Sequence, residues 1–181
     1  MPDATGLELI AQALRTAEGE AQASGSPVIE TVFFRGRGTL VVEPERIRTV
    51  LARLRERGYT FMASLHGVDY YPHEPRLGVI YELLDMSSVD RITVKLRLPS
   101  AAPEVDSVTP DTLEGAGWPT ADHQEREVFD MFGVVFRDHP DLRRILMPED
   151  YEGHPQRRDF PIGGEPVIFT FNESPTLEGA E

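Results

Sequence analysis

Cysteine is absent from this chain of 181 residues, and its absence excludes two kinds of metal chemistry. An iron–sulfur cluster needs thiolate ligands, and so does a cysteine-bound zinc ion, so the chain can carry neither. Disulfide bonds are excluded as well. With 40% hydrophobic residues, the chain is long enough to bury a core without them, and we expect one domain of ordinary size.

Positive charge and long apolar runs are also scarce. The chain has 18 basic residues against 31 acidic ones, and its net charge of −13 disfavours nucleic acid and anionic lipid as partners. Its apolar runs are shorter than the roughly 20 residues that span a membrane. The first residues are acidic and lack the basic cluster of a targeting signal, so we expect a protein on the cytoplasmic side.

Recognisable catalytic motifs are lacking too. There is no nucleophile elbow, no Walker loop and no pair of histidines spaced for zinc. Glu125, Glu127 and Asp130 do cluster in one stretch, and paired carboxylates can perform acid–base catalysis. The alternative is that they cap a helix, interact with its dipole or form ion pairs, which is the more common arrangement.

What the chain does contain is a succession of helix and strand patterns. Apolar periodicity predicts helices over residues 5–23, 44–58 and 122–132, and strands over residues 28–34, 39–42, 59–65, 77–84 and 91–98. The last strand alternates apolar and polar side chains, which is typical of an antiparallel sheet with one buried face. Its link to the preceding strand is too short for a crossover, so the two should form a hairpin. We predict an α+β fold with a mostly antiparallel sheet of about four to five strands packed by helices.

The predicted helix over residues 122–132 has recognisable ends. Asp122 can cap its N-terminus, and Glu125 can reach back to the same turn as in a capping box. Gly133 should end the helix. Its buried stripe should consist of Val128, Met131 and Phe132.

The chain changes character after Phe136. Residues 137–181 show no periodicity and contain six prolines, so we predict an α+β domain over residues 1–136 and an extended C-terminal docking arm over residues 137–181. Apolar and arginine side chains at intervals are typical of an interface. The alternative is an arm folded back over its own sheet. The residues expected to contact a partner are Leu142, Arg143, Arg144, Ile145, Leu146, Tyr151, His154, Arg157, Arg158 and Phe160.

Three stretches around this boundary carry a family resemblance. Residues 125–136 read EREVFDMFGVVF, residues 139–146 read HPDLRRIL, and residues 152–161 read EGHPQRRDFP. This ordered series resembles the signature of the 30 kDa subunit, designated C, of the proton-pumping NADH–quinone oxidoreductase (respiratory complex I). The family usually has an asparagine and a tryptophan where this chain has Asp122 and His123. The signature residues are Glu125, Arg126, Glu127, Asp130, Phe132, Gly133, His139 and Pro140.

The resemblance implies a peripheral-arm subunit on the cytoplasmic side of the bacterial cell membrane. Such a subunit has no catalytic residues, metal ligands or cofactor of its own. The enzyme activity, proton-translocating NADH:quinone oxidoreduction, would belong to the complex, with FMN, iron–sulfur clusters, NADH and quinone bound by other subunits. The chief partner would be the large neighbouring subunit that lines the quinone pocket, designated D and called the quinone-pocket subunit below. The C-terminal segment would extend over its surface.

Two other interpretations compete with this one. Related subunits serve membrane-bound hydrogenases and quinone oxidoreductases with other electron donors, and the sequence does not distinguish the donor. A free-standing acid–base hydrolase would instead use Glu125, Glu127 or His139 and would gather them in one pocket.

Overall fold

The structure is a computed structural model and describes residues 4–16, 26–113 and 117–161. The predicted helix segment 17–23 and the end of the predicted arm, 162–181, lie outside these ranges. The helices are α1 (Ala4–Thr16), α2 (Ile47–Glu56, after a short 3-10 turn at Pro44–Arg46) and α3 (Ala121–Phe132). The strands are β1 (Val28–Phe34), β2 (Arg37–Val42), β3 (Phe61–Asp69), β4 (Leu77–Asp85), β5 (Asp90–Leu98), β6 (Glu104–Asp106) and β7 (Val135–Arg137).

Five strands form one sheet in the order β1-β2-β5-β4-β3. Three neighbouring pairs are antiparallel, and only β2 and β5 run parallel. The chain passes through α2 from β2 to the far edge of the sheet at β3, and the β4–β5 hairpin then fills the space between them. The predicted α+β fold with a mostly antiparallel five-stranded sheet is confirmed, as is the hairpin.

The hydrophobic core lies between one face of this sheet and the helices. Alternate residues of β2, β4 and β5 are buried, and the stripe predicted for α3, Val128, Met131 and Phe132, is buried as well. Each such side chain contributes about 1.5–3 kcal/mol relative to an exposed one. The strand side chains in this layer include Leu40, Val42, Val79, Tyr81, Leu83, Ile92, Val94 and Leu96, and the helices add Leu7, Ala11, Leu14, Ile47, Val50, Leu51 and Leu54.

Two glycines, Gly36 and Gly38, lie near the turn between β1 and β2, but only Gly36 belongs to it. Arg35 and Gly36 form it with φ values of 51° and 76°, the left-handed pair that suits a tight hairpin. Gly38 instead belongs to β2, where an added Cβ would lie 2.9 Å from a side-chain carbon of Leu7. The second glycine therefore allows α1 to approach the sheet.

Three strands extend beyond or lie outside the predicted ranges. The strand predicted over residues 59–65 continues further as β3, which stays paired with β4 as far as Asp69 opposite Leu77. Strands β6 and β7 were not predicted, and they pair with each other in parallel. Both strands have three residues, which is too short for an apolar alternation to show in the sequence.

Helix α3 packs directly on β3 at Gly67. An added Cβ at Gly67 would overlap the ring of Phe132. We expect Gly67→Ala to lower the free energy of unfolding by about 1–3 kcal/mol, measured by urea denaturation. The same substitution should cost less in a Phe132→Leu background, because the smaller side chain leaves room. Equal losses in both backgrounds would contradict this packing.

Candidate functional site

Asp130, in the last turn of α3, binds the segment that follows the domain. Its carboxylate has no exposed surface. Oδ2 accepts hydrogen bonds from three consecutive backbone N–H groups, those of Ile145 (3.1 Å), Leu146 (2.8 Å) and Met147 (2.8 Å). Oδ1 accepts one from Nη1 of Arg144 at 2.6 Å. We call this arrangement the Asp130 clasp, and it fixes the backbone of residues 144–147 to α3.

The electrostatics of the Asp130 clasp favour an ionised carboxylate. Burial by itself would raise the pKa of Asp130. The N–H of Met147, the guanidinium of Arg144 and the N–H groups of Leu146 and Ile145 outweigh burial, and the pKa of Asp130 is lowered. Hydrogen bonds to a charged acceptor are stronger than neutral ones, so the clasp is a strong attachment.

The loop held by the clasp carries two pairs of apolar side chains, one facing the core and one facing solvent. Leu142 and Met147 pack against the core. Ile145 is 36% exposed and Leu146 is 60% exposed. Arg126 adds hydrogen bonds to the carbonyls of the two residues before Ile145. The loop therefore presents two apolar side chains to solvent on a backbone that cannot readily rearrange.

His154 attaches the next part of the segment to the end of α3. Its Nδ1 lies 3.0 Å from the carbonyl oxygen of Asp130, and its ring meets that of Phe129 edge-on. Gly133 ends α3 as predicted, with φ 75°. A Cβ on Gly133 would lie 2.6 Å from the His154 ring. A glycine is therefore required there both by the backbone conformation and by the close approach of the histidine.

A second clasp lies at the other end of the segment, on β3 and β4. Arg76 forms a two-point ion pair with Asp69 at 2.8 and 2.6 Å, and its Nη1 donates to Asp159 at 2.6 Å. The backbone N–H of Arg158 donates to Asp69 at 2.7 Å. Arg76 is the main cause that lowers the pKa of both Asp69 and Asp159, and Asp69 in turn raises the pKa of Arg76. The sequence indicated Arg158 only as a docking residue and gave no signal for the pairing of Asp69, Arg76 and Asp159, because Asp69 and Arg158 are 89 residues apart.

Glu125 has a different role from the predicted cap. Its side chain is fully buried, and Oε1 accepts the backbone N–H of Val108 at 2.8 Å. Thr120 precedes α3 without a side-chain capping bond. The capping prediction is therefore wrong for both Asp122 and Glu125. Asp122 lies inside α3 rather than before it, and the hydrogen-bond donor to Glu125 comes from the loop after β6 rather than from its own helix. Glu127, two residues on, is exposed, so the two carboxylates do not form a pair.

The second oxygen of Glu125 has no hydrogen-bond partner among the residues that the structure describes. The nearest histidine nitrogen is Nε2 of His139, 3.9 Å away. Nδ1 of His139 accepts the N–H of Asp141, so Nε2 carries the proton and faces the carbonyl of Asp122 at 3.2 Å. Burial, the largest influence, raises the pKa of Glu125 to about 7. A substantial fraction of this carboxyl group is therefore protonated near neutral pH.

The predicted docking residues divide into two groups in the structure. Arg144 and Arg157 donate hydrogen bonds within the chain, Arg157 to the carbonyl of Ser100. Tyr151 and Phe160 stack with ring centroids 6.2 Å apart. The more exposed group is Arg143, Ile145, Leu146 and Arg158. Docking of these residues on a partner stays a prediction.

Two further findings concern metals and membranes. Across residues 4–16, 26–113 and 117–161, no group of three or more histidine, aspartate or glutamate side chains is arranged to hold a metal ion. Among the described helices, none has the length and apolar character needed to cross a bilayer.

The fold and the two clasps define a class of protein, an α+β domain whose buried carboxylates bind a C-terminal segment to its surface. Residues 40–166 match the family model of the respiratory-chain NADH dehydrogenase 30 kDa subunit. The chain belongs to this family, which confirms the resemblance found in the sequence, and its relatives are subunits of a multi-subunit oxidoreductase.

Individual relatives agree with this assignment. The chain is 45% identical to the C subunit of the NADH-quinone oxidoreductase of Roseiflexus sp. (strain RS-1) over 149 residues, covering 81% of this chain and 82% of that one. The corresponding C subunit of Thermus thermophilus is 38% identical over 161 residues, covering 83% and 73% of the two chains.

Two solved structures share the fold. A trypsin-resistant fragment of Nqo5 matches with a TM-score of 0.60 and 28% identity, covering 75% of this chain and 98% of the fragment. A chain of an archaeal membrane-bound sulfane sulfur reductase matches with a TM-score of 0.67 and 24% identity, covering 98% and 95%. The second likeness extends to the fold alone.

Proposed function

We propose that this chain is a non-catalytic, cofactor-free subunit of the peripheral arm of NADH–quinone oxidoreductase. It supports assembly of the complex and its quinone module by packing the segment held by the Asp130 clasp on the quinone-pocket subunit. The observation that carries this proposal is the exposure of Leu146, 60%, on a loop whose backbone is held by a buried carboxylate.

The clasp reduces the conformational entropy that the loop would lose on docking. A flexible loop loses conformational freedom when it binds, and a loop already held in its bound shape loses less. Apolar side chains near the centre of an interface contribute most of its binding energy when a partner encloses them. Arg143, whose side chain is 61% exposed, lies beside this apolar pair and suits the polar rim of such an interface.

The chemistry of the complex belongs to other subunits in this proposal. NADH, FMN, iron–sulfur clusters and quinone would be bound there, and proton translocation would follow from their reactions. Support comes from the composition of this chain, which offers no cysteine thiolate to a cluster. Glu125 and His139, the strongest acid–base candidates, have fully buried side chains. The place of the subunit would be the cytoplasmic side of the membrane.

The test compares two leucines of equal exposure. Leu146→Gln and Leu9→Gln replace side chains in residues that are 60% and 61% exposed, and Leu9 lies on α1, away from the clasp. We expect Leu146→Gln to reduce the amount of this chain retained in the purified complex about tenfold, which corresponds to a loss of about 1.4 kcal/mol. Leu9→Gln should have no effect on retention.

Cross-linking from position 146 should identify the quinone-pocket subunit as the neighbour. Normal retention of the Leu146→Gln variant, or a cross-link only to other subunits, would contradict the proposal. Arg144 is unsuitable for this test, because its guanidinium binds Asp130 and Gly153 within the chain.

A further inference from the structure

The tip of the β4–β5 hairpin combines exposed apolar side chains with a turn that is held by hydrogen bonds. Four residues, Met86 to Val89, connect Asp85 to Asp90. Met86 is 64% exposed and Val89 is 79% exposed. Asp85 accepts hydrogen bonds from the N–H and hydroxyl of Ser87 at 2.8 and 2.6 Å, and from the hydroxyl of Ser88 at 2.6 Å. These bonds hold the tip in one shape.

Val89 adopts an unfavourable backbone conformation at this tip. Its φ is 54°, in the left-handed region, where a β-branched residue is a marked outlier. This conformation costs an L-residue about 1–2 kcal/mol, and glycine or asparagine tolerates it better. The path of the loop requires the left-handed conformation but does not require valine. An isopropyl group that is mostly in water also gains little from packing within the chain.

We propose that Met86 and Val89 form a second docking surface, which inserts into an apolar pocket of a neighbouring protein subunit of the oxidoreductase complex. The surface is separate from the Asp130 clasp and from the second clasp, which Arg76 forms with Asp69 and Asp159. Arg76 immediately precedes β4, whereas the tip follows the end of that strand, and nine residues of strand separate them by roughly 26–30 Å.

The charges at the base of the tip favour a protein partner over a lipid surface. The hydroxyls of Ser87 and Ser88 lower the pKa of Asp85 to about 2, and Asp90 lies opposite it in the hairpin. Two carboxylates on a chain of net charge −13 repel anionic headgroups. A second copy of the chain would bring the same carboxylates together. An apolar pocket with a neutral or basic rim fits the tip better.

Three substitutions at Val89 separate backbone strain from apolar contact. Val89→Thr keeps the branched shape but adds a hydroxyl, Val89→Ile keeps both shape and apolarity, and Val89→Asn relieves the backbone. For the isolated full-length chain we expect Val89→Asn to raise the unfolding midpoint by about 2–4 °C. Val89→Thr and Val89→Ile should change it by less than about 1 °C.

The complex should respond in the opposite sense. Purified through a tagged neighbouring subunit, it should retain about fivefold to tenfold less of the Val89→Asn and Val89→Thr chains and a normal amount of Val89→Ile. A Met86→Ser/Val89→Thr chain retained at the normal level would overturn the proposal. Concentration-dependent dimerisation of the isolated chain that Val89→Thr abolishes would also overturn it, because the occupant would then be a second copy. If Leu146→Gln lowered retention but the substitutions at Met86 and Val89 did not, the proposed function would stand and the docking role of the hairpin tip would be refuted.

Discussion

Asp130→Asn should lower the free energy of unfolding by about 3–5 kcal/mol, although the two side chains have the same shape. Oδ2 of Asp130 accepts three backbone N–H groups and Oδ1 accepts Arg144. An amide has only one oxygen, so in either orientation its NH2 group would face hydrogen-bond donors. Breaking a buried ion pair on one side leaves the other charge uncompensated, which accounts for the size of the loss.

The local consequence should be release of residues 144–147 from α3. Trypsin should cleave after Arg143 and Arg144 faster in the Asp130→Asn chain than in the wild type at a temperature where both remain folded. Asp150→Asn is the matched control, because Asp150 is an exposed acid in the same segment and should change stability by less than about 0.5 kcal/mol. If urea denaturation gave the same midpoint for Asp130→Asn and Asp150→Asn, the clasp would not be the attachment described here.

Glu125→Gln should remove a pH dependence that the wild type shows around neutrality. The pKa of Glu125 rises from its ordinary 4.5 to about 7 on folding, chiefly because of burial. The folded chain then binds this proton more tightly than the unfolded chain. The resulting stability is complete below about pH 4.5 and is lost as the pH rises through 7. The shift corresponds to about 3 kcal/mol in total.

The measurement uses Trp118, the single tryptophan of the chain. Trp118 is buried, and its backbone N–H donates to Val108, whose own N–H donates to Glu125. Denaturation followed by its fluorescence should show wild-type stability falling between pH 5 and pH 8 relative to Glu125→Gln. The exposed Glu127 supplies the control, since Glu127→Gln should follow the wild-type curve. Parallel curves for the wild type and Glu125→Gln would show that the carboxyl group stays ionised in the folded protein.

Glu125 and Asp130 show which interactions a local sequence pattern does not predict. The stripe of α3 and the alternation of β5 were predicted correctly, because each depends on residues within one element that share a face. Glu125 was assigned to capping by the same kind of rule, which considers only partners in the same helix. Its actual donor is Val108, 17 residues earlier. Asp130 belonged to a recognised motif, but its partners lie 14 to 17 residues later, in a segment without periodicity.

The sequence by itself determined the family, the α+β class, the hairpin of β4 and β5 and the C-terminal end of α3 at Gly133, because these follow from ordered motifs and from repeats within single elements. Only the tertiary structure decided what the buried acids do. Asp130 and Asp69 each accept backbone N–H donors from the C-terminal segment, and Glu125 is enclosed where burial outweighs the donors and the charge of Arg48 that favour its ionised form. The sequence alone does not show whether a carboxylate is buried. Burial, together with the hydrogen-bond donors that reach the carboxylate, determines both its charge and its role.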